Sequence, residues 1–94
     1  MSASARMAHL KVDIGLLHPT DEQMAYLWGL LAQAEGYIVR QGVTLEDSDD
    51  DDMLAASTAA WMYRTRATAD APRLPPVLRS QINDRLCSQK MGDA

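Results

Sequence analysis

A chain of 94 residues is one domain's worth, and although 47% of it is apolar, many of those residues are alanine and there is no phenylalanine, so core volume must come from Leu, Met, Ile and two tryptophans. The net charge of −4 argues against a protein held to nucleic acid by bulk electrostatics. The single Cys87 rules out an internal disulfide, and with His9 and His18 it falls short of the ligand set of a structural zinc site.

Residues 1–12 contain Ser, Ala and Arg without any acid and read as a frayed start, with a short opening helix expected over Ala5 to Val12, before Gly15. Pro19 marks a break. Thr20 followed by Asp21, Glu22 and Gln23 is a capping box with acids in the first turn. Met24, Leu27, Leu31, Ala34 and Ile38 then recur at three- and four-residue steps, and Gly42 stands where a left-handed cap is expected. These signals predict a long helix over 20–41. Gly29 and Gly36, seven residues apart within it, would give that helix a slim face.

Ser48 with Asp49, Asp50, Asp51 and Asp52 places a hydroxyl cap and four carboxylates at the positive end of a helix dipole. A second helix over 48–67 follows, with Leu54, Ser57 or Thr58, Trp61, Met62 and Thr65 as its stripe. Alanines 55, 56, 59 and 60 would let another helix approach closely. Pro72, Pro75 and Pro76 make 68–76 a Pro-rich loop, and Pro76 suits the first position of a third helix over 76–89. That helix has Val77, Leu78, Ile82 and Leu86 as its apolar positions. Residues 1–4 and 90–94 read as loose ends. No strand period and no internal repeat occurs, so the expected fold is all-α: a single domain, 1–94, built as a small bundle of three main helices plus a short N-terminal one.

Charge is unevenly distributed. Ten acids against three bases up to Asp52 give −7, whereas six bases against three acids from Met53 onward give +3. If the fold keeps the halves apart, like molecules would meet acidic face to basic face, as in a head-to-tail ring. No apolar run approaches the roughly 18 residues of a membrane span, the N-terminus lacks the apolar stretch of a signal peptide, and a reducing cytoplasm fits the lone cysteine.

Few residue patterns here carry chemistry. The run Asp47, Asp49, Asp51 invites comparison with a calcium loop, but Asp52 and Thr58 stand where that loop needs Gly and Glu, so a capping, solvated acidic patch is expected. Neither histidine belongs to a recognisable acid–base motif, the glycines build no phosphate loop, and Cys87 is expected to be a buried or half-buried small apolar residue. The reading is therefore non-enzymatic, without metal or cofactor. Arg64, Arg66, Arg73, Arg79 and Arg85 would pair with acids of a neighbouring subunit rather than form a dense phosphate-binding patch, with Trp61 in the core and Tyr63 at an interface.

The order of features resembles the head-tail connector (adaptor) family of tailed bacteriophages. The matching residues are Glu35-Gly36-Tyr37-Ile38 leading to Gly42-Val43-Thr44-Leu45, Asp47-Ser48 with the following acids, and Ala60-Trp61-Met62-Tyr63-Arg64. Pro72-Arg73-Leu74, Leu78-Arg79, Ile82-Asn83-Asp84-Arg85-Leu86 and Ser88-Gln89-Lys90-Met91 continue the likeness, which runs from about Leu10 to Met91.

That resemblance implies a structural virion protein of the neck, assembled in the host bacterial cytoplasm. Copies would form a ring on the dodecameric portal protein, line the DNA channel and receive a stopper or tail-completion protein below. Arg79, Arg85, Gln89, Lys90 and Met91 would contact the portal; Tyr63, Arg64, Arg66 and Arg73 would meet the neighbouring copy; the loop 68–76 would be free to move. Asp49, Asp50, Asp51 and Asp52 would face the channel, where carboxylates let double-stranded DNA pass without sequence-specific binding. A second reading is a small helix-turn-helix regulator whose third helix reads DNA. The connection from Ala67 to Pro76 is longer than the turn of that motif, and the net charge has the wrong sign.

Overall fold

Three of the four helix starts can be traced to a local signal in the sequence. In the computed structural model, which describes residues 2–65 and 75–92, and the side chains of 3–65 and 75–89 within them, four helices follow in order: α1 (Ser2–Ile14), α2 (Asp21–Arg40), α3 (Asp49–Thr65) and α4 (Pro76–Gly92). No strand occurs among the described residues, and the chain is all-helical. Thr20 opens α2 with the expected capping box: the Gln23 amide donates to Thr20 Oγ1 at 3.2 Å, and the Thr20 amide donates to Gln23 Oε1 at 2.8 Å. Ser48 opens α3 by accepting from the Asp51 amide at 3.2 Å. Pro76 begins α4, where its missing N–H is no loss.

Gly15 (φ +73°) and Gly42 (φ +102°) close α1 and α2 in the positive-φ region that a side chain disfavours. At Gly42 the space is also needed, since an added Cβ would stand 3.2 Å from Leu86 Cδ1 of α4.

Helix α3 is the centre of the bundle, packed against α1, α2 and α4. Its contact surface is mostly alanine: Ala55, Ala56, Ala59 and Ala60 are all buried, alongside Leu54 and Thr58. The expected stripe of Leu54, Trp61, Met62 and Thr65 is displaced around the helix, and Trp61 and Met62 are only partly buried. Small side chains bring the axes together, so the alanine side and not the bulky side becomes the interior. Thr58 is satisfied inside this core by donating to the Leu54 carbonyl at 2.9 Å.

On α2 the buried face is Leu27, Leu30, Leu31, Ala34 and Ile38, with Met24 partly buried, close to the periodic set read from sequence. The N-terminal segment departs from its expectation: α1 is a full 13-residue helix whose Arg6, Met7 and Leu10 are buried, where a frayed start and a short helix were expected. On α4, Leu78 and Ile82 are buried and Leu86 partly so, but Val77 points to solvent. Each fully buried Leu or Ile contributes about 1.5–3 kcal/mol relative to exposure, so Leu10, Leu27, Leu31 and Ile38 anchor the three-helix contact of α1, α2 and α3.

Candidate functional site

The densest polar construction lies at the N-terminus of α3. Arg6 of α1 reaches across it with all three guanidinium nitrogens engaged: Nε donates to Asp52 Oδ1 at 2.8 Å, Nη1 to Glu35 Oε2 at 2.6 Å, and Nη2 to the Glu46 carbonyl at 2.9 Å. One side chain thus ties α1 to α2, to the α2–α3 connection and to α3. Beside it, Asp51 takes a two-pronged contact from Arg85 of α4, with Nε at 2.6 Å and Nη2 at 3.0 Å, and also accepts from the Glu46 amide at 2.8 Å. Gln89 extends the α4 attachment by donating to the Thr44 carbonyl and accepting from the Thr44 amide.

Both arginines are held in the charged form more strongly than an ordinary arginine. Burial pulls the Arg6 pKa down, but hydrogen bonds and charge from Glu35 and Asp52 outweigh it, and the net shift is upward. For Arg85 the hydrogen bonds from its guanidinium to Asp51 are the largest influence and raise its pKa, against a smaller effect of burial. Every buried side-chain nitrogen and oxygen among the described residues has a hydrogen-bond partner, so this cluster is closed and structural.

That arrangement corrects several expectations. Asp51 and Asp52 are 0% and 5% exposed, so they are interior ion-pair partners and cannot line a channel; of the four carboxylates only Asp49 and Asp50 face solvent. Arg85 and Gln89, expected at the portal, are spent on Asp51 and Thr44 within the chain. Arg79 is exposed, beside a shallow polar hollow formed with Pro76, Ser80 and Asn83, and stays available for a partner. The side chains of Lys90 and Met91, together with Arg66, Arg73 and most of the loop 68–76, lie outside the described residues.

At the other end of α3, the expected interface residues are partly occupied too. Arg64 donates to Asp13 of α1, at 2.8 Å to its carbonyl and 2.9 Å to its carboxylate. Tyr63 is half-buried, its ring 6.5 Å from that of Tyr26 and inclined by 58°. The acidic and basic halves of the sequence therefore meet inside one molecule, through Asp51–Arg85 and Asp13–Arg64, rather than standing apart on opposite faces. Cys87 is exposed, not buried. His9 and His18 are exposed; His9 borders a groove with Val12, Asp13, Met53, Ala56 and Ser57.

Among the described residues no group of His, Cys, Asp and Glu is arranged to hold a metal ion, and no helix is long and apolar enough to cross a membrane. What the surface does offer is apolar area in separate places. Val12 and Met53 are exposed on the α1–α3 side, Leu17 lies before α2, Tyr26, Trp28 and Val39 are exposed on α2, and Val77 on α4. Tyr26, Trp28 and Val39 all fall outside the periodic set of α2 read from sequence, although they are large and apolar or aromatic. Compared with protein families, curated proteins and solved structures, the chain matches none of them.

Proposed function

We propose that this chain is a structural assembly subunit of the head-tail connector type found in tailed bacteriophages: a helical block that joins copies of itself into a ring beneath the portal, linking the DNA-filled head to the stopper or tail. The observation that carries the reading is the order of elements along the chain. A subunit in a ring meets neighbours on more than one side, and the exposed apolar side chains of Val12 and Met53, of Trp28 and Val39, and of Val77 are open to such contacts. The order of elements agrees with the resemblance read from sequence: a leading helix, a long second helix, an acid-capped third and an arginine-bearing fourth.

The buried ion pairs refine which residues take part. Arg85 and Gln89 hold α4 in place, which leaves the exposed Arg79 as the portal contact among the described side chains. Asp49 and Asp50 remain as the acidic pair for the DNA channel. The helix-turn-helix reading loses Arg85 as a base or phosphate contact, since its guanidinium is bonded to Asp51.

Mixing the purified protein with the portal ring encoded by the same phage or prophage tests the proposal by electron microscopy. The expected result is an added ring of density on the portal, reduced by the double substitution Arg79→Glu, Lys90→Glu. A portal that stays bare at packaging-like salt, with the protein folded by circular dichroism, overturns it.

A further inference from the structure

We infer that the outer face of α2 is a self-complementary surface on which a second copy of this chain docks, antiparallel, to form a two-fold dimer of the free subunit. The inference is independent of the connector reading. A two-fold contact uses the same patch on both partners, whereas a ring contact needs two different patches, so the two assemblies can fail separately.

The face lies opposite the core side of α2. Ala25, Gly29, Ala32 and Gly36 follow at steps of four, three and four residues, and Trp28 and Val39 flank them at 41% and 53% exposure. For the whole length between Glu22 and Arg40 this face has no charged side chain, which is unusual for a helix side turned to water. Gly29 is the independent sign that something approaches. Neither glycine has positive φ, and a Cβ at Gly29 would meet nothing within 4 Å; at Gly36 it would meet only the far end of Arg40 from the same helix, at 3.3 Å. At Gly36 the missing side chain makes room for the Arg40 guanidinium, but at Gly29 the subunit itself gains nothing, although glycine there weakens the helix relative to alanine. A second backbone passing closely is what the missing side chain at Gly29 accommodates.

Charge complementarity identifies that second backbone as another α2 in reverse. Glu22 and Arg40 are 18 positions apart, which is five whole turns at about 3.6 residues per turn, so they lie on the same side of the helix at opposite ends. In an antiparallel pair centred near Leu30 and Leu31, Glu22 of one copy stands beside Arg40 of the other, twice over, and the helix dipoles also oppose. A register one residue away, about 1.5 Å along the axis and within the reach of a long arginine side chain, sets Gly29 against Ala32 and Ala25 against Gly36, and lays Trp28 over the partner's alanine row. A parallel pairing would instead set Glu22 against Glu22 and Arg40 against Arg40.

A 20-residue helix is about 30 Å long, so the pair buries only about 600 Å² in total, which places the dimer among weak, concentration-dependent contacts with Kd on the order of 10–100 µM. Sedimentation equilibrium of the full chain from about 1 to about 500 µM reads this directly. Dimerisation in that range is expected, weakened at least about tenfold by Gly29→Arg, a change that favours the helix and whose folding is checked by circular dichroism. Arg40→Glu and Glu22→Lys should each weaken the dimer, and the two together on one chain should restore it to within about twofold. A chain that stays monomeric throughout overturns the inference, as does association indifferent to Gly29→Arg. Failure of the double charge swap to recover what each single change loses overturns the antiparallel arrangement.

Discussion

Removing the Arg6 guanidinium is the sharpest perturbation of this fold. In Arg6→Ala, Asp52 keeps its charge at 5% exposure with its arginine gone, the Glu46 carbonyl loses its donor, and Glu35 loses a 2.6 Å contact. Breaking a buried pair by deleting one partner costs about 3–5 kcal/mol, because the remaining charge stays desolvated. A 94-residue chain has a total stability of about 5–14 kcal/mol, so about a fifth of it or more should disappear and the thermal midpoint should fall by about 12–30 °C. Urea unfolding followed by circular dichroism and tryptophan fluorescence measures the loss. Arg64→Ala is the control, since its pair with Asp13 is 55% and 40% exposed and such pairs contribute about 0.2–1 kcal/mol. Replacing both buried partners, Arg6→Met with Asp52→Leu, should recover about 2 kcal/mol or more of the single-variant loss. If Arg6→Ala costs no more than Arg64→Ala, the idea that this arginine organises the bundle is wrong.

Three further outcomes follow from the same geometry. Arg85→Ala leaves the fully buried Asp51 with only the Glu46 amide, and should cost about 2–3 kcal/mol, with hydrogen exchange accelerating along α4 before α2. Gly42→Ala combines a positive φ with a Cβ 3.2 Å from Leu86; a loss of about 1–2 kcal/mol in urea melts is expected, larger than for the unconstrained Gly29→Ala, which should stabilise the helix. Ala59→Leu places three extra carbons where α3 is fully buried and should cost about 1–3 kcal/mol, visible as a lowered thermal midpoint.

The helices were legible because their signals are local. Thr20 with Gln23, Ser48 with Asp51, and Pro76 each act within one turn, and the structure places helix starts at those points. The extent of α1 was not legible, since its helix is secured by contacts far along the chain: Arg6 bonds residues 29, 40 and 46 positions away. Val77, read as apolar stripe, is 67% exposed although Leu78 beside it is buried, because one residue's step turns the side chain about 100° around the helix.

The acidic run shows how a correct local reading can miss a residue's role. Four aspartates at a helix N-terminus do complement its dipole, yet two of them also continue the alanine face inward. Asp51 precedes Ala55 by four residues and Thr58 by seven; Asp52 stands in the same relation to Ala56 and Ala59, and all four of those successors are buried. Asp49, by contrast, precedes the exposed Met53 by four, and Asp50, which is exposed, precedes the buried Leu54 by four but the only partly buried Ser57 by seven, so both successors must be buried for the aspartate to turn inward. The period therefore contained the signal, but using it required seeing that alanines and not the bulky Trp61 and Met62 define the interior of α3. Once that is granted, two carboxylates must enter the core, and each must find a cation. The chain supplies one from each flank, Arg6 from α1 and Arg85 from α4, so adjacent acids on the central helix point two of its three neighbours to their places.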